Sequence, residues 1–401
     1  KNPDTFVYGT IGDPVTLDIA VAYDNASGNI IQNVYEPLIT WERGTDILVP
    51  ALAEEVPTLE NGGISEDGKV YRFKIRDGVT FHNGNDLTPE DVEYSFERTL
   101  VVDVDHGPQW MHWMVFFDDT SGVDANGNFK YTVEEIDQKI EVDGDYVVFN
   151  LANPSPFFLA ILTGGWSHII DKEWTIEQGG WDGTTADRDR VFNPAAGEEL
   201  LFDIANGTGP YQFERWVKGE EVVLQRFDDY WGEAPSIARA IYANVDEWST
   251  RKLMFLQGDL DYAYIEPVYW DEMEQEEGIT YYDKLPSLSI TGLMFQQKIN
   301  NTDNPYTFSG QLDGNGIPSD FFADRDVRLG FMYAWDEETF LTEIASGAYM
   351  DPVGPIPYGL PFKAGTVERL PYDLEMAEEH MRKAFDGEVW ENGFKVEFLY
   401  N

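Results

Sequence analysis

The sequence contains no cysteine. Disulfides, thiolate nucleophiles and cysteine-based zinc sites are therefore excluded. Histidine is scarce, with only His82, His106, His112, His168 and His380. No two of them lie at i, i+4 around a glutamate, so a helical metalloprotease motif is absent. No G-x-S-x-G elbow, P-loop or dinucleotide-binding G-x-G-x-x-G is present. No stretch approaches the ~20 apolar residues of a membrane-spanning helix. No signal peptide heads the chain, and Lys1-Asn2-Pro3-Asp4 reads as the start of a trimmed one.

Basic residues are also few. The 401 residues include 27 Lys and Arg against 74 Asp and Glu, a formal net charge of −47. Such a charge repels nucleic acids and anionic lipid, so a nucleic-acid partner is excluded. The carboxylates are dispersed along the whole chain, not gathered in a tail. A dispersed acidic surface with little lysine suits concentrated salt, where the Debye length shrinks to ~3 Å at about 1 M. The expectation is a halophilic protein. At 42% hydrophobic and 14% aromatic residues, the chain can bury cores despite its charge. Its length calls for two or three domains.

Strands and helices alternate irregularly, as in mixed α/β domains. Phe6, Tyr8 and Thr10 alternate with Val7 and Gly9 in a first strand, and Leu17-Asp18 reads as the end of another. A helix is expected over about 28–35, before Pro37. In 70–76, Tyr71, Phe73 and Ile75 face the core while Arg72, Lys74 and Arg76 face water. Thr88-Pro89-Glu90-Asp91 is a helix start with N-cap, proline and capping-box carboxylate. Residues 146–151 form a strand, and 173–206 an irregular connection. Helices are expected over 251–257, 324–335 and 373–385. The stripe Met376, Ala377, His380, Met381 and Ala384 reads as core packing. Gly207-Thr208-Gly209-Pro210-Tyr211-Gln212-Phe213 makes a turn suited to glycine and enters a strand. Lys218-Gly219-Glu220-Glu221 turns it into Val222-Val223-Leu224, which ends at the cluster Phe227-Asp228-Asp229-Tyr230-Trp231.

Two motifs resemble calcium loops, Asp124-Ala125-Asn126-Gly127-Asn128 and Asp313-Gly314-Asn315-Gly316. The glycine of the first is misplaced for an EF-hand, and acidic turns are the better reading of both. No metal and no cofactor are expected. Among so many carboxylates nothing marks a glycosidase pair, although composition leaves one open.

Four segments, in order, resemble the extracellular solute-binding proteins of peptide/nickel-type ABC importers, which include oligopeptide- and dipeptide-binding proteins. The first joins Pro50-Ala51-Leu52-Ala53-Glu54-Glu55-Val56 to Ser65–Gly84, with Tyr71-Arg72-Phe73-Lys74-Ile75-Arg76-Asp77-Gly78 at its centre. The second is Leu87-Thr88-Pro89-Glu90-Asp91-Val92-Glu93-Tyr94-Ser95-Phe96-Glu97-Arg98. The third is the Gly207–Trp231 string, and the fourth is Phe321–Asp336, containing Ala323-Asp324-Arg325-Asp326-Val327-Arg328. Gly78, Thr88, Gly209 and Arg328 read as fold determinants.

The resemblance implies a type II periplasmic-binding-protein fold, α/β and two-lobed, with an extra domain and a hinge. Residues 1–40 with 170–288 are expected as the first lobe, 41–169 as the extra domain and 289–401 as the second lobe. The segment Phe394–Asn401 reads as a strand of that lobe, and family members continue beyond it, so the chain is expected to be truncated at its C-terminus. The implied function is non-enzymatic. A monomer on the extracytoplasmic face closes on a peptide and presents it to a membrane permease, with lipid anchoring through a removed N-terminal segment. The alternatives are an oligosaccharide-binding member of the family and, in another class, a secreted glycoside hydrolase. By position in the family, ligand contacts are expected at Tyr23, Trp110 and Tyr264, and at Ser289 and Leu293 on a crossing strand, with Trp166 a further candidate.

Overall fold

The computed structural model describes residues 2–105, 107–274, 276–282, 289–290, 292–302, 304–345, 347–350, 354, 356–357 and 369–397. It divides into two units, Lys1–Tyr264 and Ile265–Asn401.

The first unit is built on a five-stranded sheet. Strand β1 (Thr5–Thr10) lies between two parallel neighbours, and the other strands in chain order are β2 (Ile39–Trp41), β3 (Leu48–Pro50), β4 (Val70–Lys74), β5 (Ile140–Asp143), β6 (Tyr146–Asn150), β7 (Tyr211–Val217), β8 (Glu221–Arg226), β9 (Arg239–Asn244) and β10 (Tyr262–Ala263). The large sheet has the order β10-β1-β9-β8-β7, with β10 and β9 parallel to β1 and the β7–β8–β9 ladder antiparallel. The expected hairpin is β7–β8, and Gly219 turns it at φ +77°.

Helix α1 (Asn25–Val34) starts earlier than the sequence suggested, because the Asp24 carboxylate caps it through the Ser27 N–H at 2.8 Å. It lies against the large sheet, and its Asn33 side chain donates to the Tyr242 hydroxyl of β9. Helix α2 (Pro89–Val102) has the capping box read from Thr88 to Asp91. The Asp91 carboxylate accepts from the Thr88 N–H and hydroxyl at 2.8 and 2.7 Å. This helix is buried on nearly every side and packs on the sheet β4-β6-β5. Tyr71, Phe73 and Ile75 point into that core as expected, and Phe73 meets Phe149 edge-on with centroids 5.7 Å apart. Helix α3 (Trp110–Phe117) follows, and α4 (Trp248–Leu256) precedes the turn at Gly258, whose φ is +72°. The acidic connection over 173–206 contains short helices at Lys172–Glu177 and Arg188–Val191.

The turn before β7 needs glycine for a reason other than backbone freedom. Neither Gly207 nor Gly209 is among the glycines with positive φ. Both press against the end of α1. A Cβ on Gly207 would lie 2.0 Å from the Val34 carbonyl oxygen, and one on Gly209 2.6 Å from that of Asn33.

Leu17-Asp18 is not a strand. Residues 11–24 form an irregular segment that leaves the carboxyl end of β1. It is fixed by a buried ion pair, in which both Arg98 terminal nitrogens donate to the Asp18 carboxylate at 2.7 and 2.5 Å. Pairing and hydrogen bonding offset the desolvation of two buried charges only when the geometry is this complete.

In the second unit, α5 (Arg325–Ala334) and α6 (Leu374–Lys383) pack together so closely that a Cβ on Gly330 would lie 2.7 Å from the Met381 methyl carbon. Asp324 caps α5, and Arg328 donates to the carbonyls of Phe322 and Ala323 at 2.6 and 2.9 Å. Phe321, Val327, Ala384 and Val389 form the core, with Phe394 and Val396 packed against it. The described part of the expected terminal strand, through Glu397, carries no strand pairing, and neither do the described residues around Ser289 and Leu293. The remainder of that terminal segment lies outside the described residues.

Candidate functional site

Three of the expected contact residues meet in the first unit. Tyr23 closes the segment that leaves β1, Trp110 opens α3, and Trp166 sits in the short 3-10 turn Gly165–Ser167. The Tyr23 and Trp166 rings meet edge-on with centroids 5.9 Å apart. The Trp110 indole N–H points to the Tyr23 hydroxyl at 3.4 Å. Tyr23 is 52% exposed and Trp110 39%, so neither ring is consumed by the core. Trp166 is half-buried, with one edge on the core and its indole N–H donating to the Ile161 carbonyl at 3.1 Å.

The cluster is held from below. Asp18 fixes the chain leading to Tyr23, and its partner Arg98 is on α2. His112, two residues after Trp110, is fully buried and bonds the Ser167 hydroxyl at 2.9 Å, tying α3 to the turn that carries Trp166. Burial keeps the His112 imidazole neutral, pushing its pKa down to about 3.

Tyr264 follows β10 on the same carboxyl edge of the parallel strands. In open α/β sheets ligands bind at such edges. Its backbone N–H donates to the Gly9 carbonyl at 2.9 Å and its carbonyl accepts from Arg251 Nε at 2.9 Å, while the side chain is 39% exposed. A ladder of phenol rings lies beside it, with Tyr8 edge-on to Tyr262 at 5.0 Å and to Tyr242 at 5.8 Å. Burial lifts the Tyr8 phenol above its ordinary pKa. The Thr10 hydrogen bond opposes this, and the nearby phenols of Tyr262 and Tyr264 add to it. The ladder escaped sequence reading because it depends on parallel pairing of distant segments. Ser289 and Leu293 belong to the second unit, where Leu293 is 62% exposed.

The glycine- and aromatic-rich string after residue 206 serves a different purpose. Its Thr208 hydroxyl, Tyr230 hydroxyl and Trp231 indole N–H all donate to the buried Glu36 carboxylate, at 2.9, 2.7 and 2.8 Å. Arg76 stacks over Trp231 at 4.7 Å. Burial raises the Glu36 pKa, and the three donors and Arg76 oppose the rise. This is a structural clasp between α1 and the β7–β8 hairpin.

Among the described residues, no group of three or more His, Asp or Glu is arranged to hold a metal, and no helix is long and apolar enough to cross a membrane. The Asp124 loop closes on itself. Its carboxylate accepts from the Asn126 and Asn128 backbone N–H groups at 2.8 and 3.0 Å.

The fold has known counterparts. The ABC transporter-associated periplasmic binding protein DppA of Helicobacter pylori, solved in complex with the peptide STSA, superposes with a TM-score of 0.69 at 22% identity, covering 95% of this chain and 66% of that one. In sequence the chain is 26% identical to the probable D,D-dipeptide-binding periplasmic protein DdpA of Escherichia coli and 24% identical to the dipeptide-binding protein of the same organism. The matches cover 89% and 97% of this chain, but 58% and 63% of those relatives. The model of the bacterial extracellular solute-binding proteins, family 5 (Middle), matches residues 48–401, and the chain belongs to that family. Its fold is that of the periplasmic binding proteins.

Proposed function

We propose that this protein is the solute receptor of an ABC importer, capturing peptides on the extracytoplasmic face and passing them to a membrane permease. The family match over residues 48–401 carries the reading. The exposed aromatic cluster at Tyr23, Trp110 and Trp166 supports it, since a binding site must present rings that the core does not use. Tyr264, which follows β10 at the carboxyl edge of the parallel strands, is a further proposed contact. Ser289 and Leu293, in the second unit, are proposed as ligand contacts in their own right. The receptor acts as a monomer and carries out no covalent chemistry. Reversible capture requires neither a catalytic pair nor a cofactor.

The proposed division is a first lobe of 1–40 and 170–288, an extra domain of 41–169 and a second lobe of 289–401. Two features support it. The five strands of the large sheet all fall in 1–40 and 170–288, while β4, β5, β6, α2 and α3 fall within 41–169.

Isothermal calorimetry of the intact protein in molar KCl, with a mixed pool of di- to pentapeptides, tests the reading. Saturable binding with peptides recovered unchanged is expected. Cleavage of the pool, or binding of oligosaccharides in place of peptides, would contradict it.

A further inference from the structure

We propose that Tyr23, Trp110 and Trp166 form a subsite for an apolar side chain of the bound peptide, with Gly164 as the positioning residue that sets its wall. The inference rests on the receptor reading above and specifies which peptides it takes.

The polar atoms of this surface are largely engaged within the protein. Trp166 Nε1 donates to the Ile161 carbonyl, and Trp110 Nε1 to the Tyr23 hydroxyl. The adjoining Trp41, also exposed, donates its indole N–H to the Thr163 hydroxyl at 3.0 Å. Of the three subsite side chains, only the Tyr23 hydroxyl keeps a hydrogen to offer. Apart from that hydroxyl and the exposed Trp110–Tyr23 hydrogen bond, what these rings offer is carbon. Ring carbon recognises aliphatic and aromatic groups by removing apolar area from water, and edge-on pairs extend readily to a further ring. A sugar can stack on such ring faces but also needs donors and acceptors for its hydroxyls, and with both indole N–H groups engaged only the Tyr23 hydroxyl is left among these side chains to supply them. An anionic side chain meets a protein of net charge −47.

Gly164 explains why the wall stands where it does. Its φ of −79° suits any residue, so backbone freedom is not the reason for glycine. The Trp166 ring folds back over its own chain, and a Cβ on Gly164 would lie 2.3 Å from two of its ring carbons. Alanine there pushes the indole off its seat against Tyr23.

The test is a titration of the intact protein with Ala-Xaa-Ala tripeptides, where Xaa is Leu, Phe, Ala, Lys or Glu. It is followed by tryptophan fluorescence and calorimetry in molar KCl. Leu and Phe peptides are expected to bind at least about tenfold tighter than Ala, Lys or Glu peptides, the discrimination a hydrophobic pocket gives for a few carbons. Trp110→Ala, at an exposed ring, should reduce the Leu/Ala ratio to within about threefold with an unchanged melting temperature, since the pocket then loses that discrimination. Gly164→Ala should shrink the same ratio, and Trp166→Phe should shrink it partially. Tripeptides that bind equally whatever Xaa is, or a preference for Lys, overturn the subsite and leave the receptor reading intact. Ratios that survive Trp110→Ala do the same. If no tripeptide binds while the di- to pentapeptide pool does, the subsite falls and the receptor reading stands; if neither binds, both fall.

Discussion

A carboxyl group buried with one oxygen unpartnered keeps its proton, and Glu97 on α2 is such a group. Burial pushes its pKa up to about 8, with Glu93 and Asp137 adding to the rise and Lys172 opposing it. The unfolded chain releases this proton near the ordinary value of 4.5. Between those values the folded state holds a proton that the unfolded state does not. Stability from this group is therefore present below pH 4.5 and declines as pH rises towards 8. The half-buried His82 and the buried His168, whose pKa values desolvation pushes down to about 4, act in the opposite sense and weaken the fold as pH falls below 6.5. A variant comparison separates the two effects. Glu97→Gln has no proton to lose, so its stability relative to the parent should be higher at pH 8 than at pH 5, read from urea unfolding at both. An equal difference at the two pH values would contradict the assignment.

At the scale of elements, the same kind of residue has two different fates. Phe73 is fully buried on β4 against Phe149, so Phe73→Ala should cost ~3–5 kcal/mol of stability in chemical denaturation. Tyr264 follows β10 with an exposed ring. Tyr264→Ala should leave the unliganded melting temperature nearly unchanged and weaken peptide affinity by ~1–3 kcal/mol, the scale of burying a large side chain. If it unfolds the protein with affinity unchanged, Tyr264 is a core residue. Locally determined elements were legible in the sequence. Alternation gave β4, the Thr88–Asp91 capping box gave α2, and a glycine turn gave β7–β8. Long-range determinants were not. Leu17-Asp18 read as the end of a strand, but these residues lie in the irregular segment 11–24, which the buried Asp18–Arg98 pair fixes. Gly207 and Gly209 suggested a strained turn, but their reason is close approach to α1. Of the candidate site, Tyr23, Trp110 and Trp166 were proposed from the resemblance, but only the folded chain shows that they meet. The clasp on Glu36 was hidden because its donors lie far along the chain.

For the whole molecule, charge dominates. The ion pairs that link its few basic residues to carboxylates lie mostly at the surface, such as Arg72–Asp143 and Arg382–Glu378, and contribute little each. Self-repulsion at −47 therefore has few internal offsets and depends on screening by salt. The melting temperature should rise steeply from dilute buffer to molar KCl. A flat profile would contradict the halophilic reading.

The receptor reading is tested most directly by what the protein already carries. Binding clefts that enclose their ligand often retain it through purification. Denaturing the purified protein and examining the released material by mass spectrometry should yield short peptides at near-stoichiometric amount, enriched in apolar side chains. Release of oligosaccharides, or of no small molecule together with failure to bind any added peptide, would contradict the account.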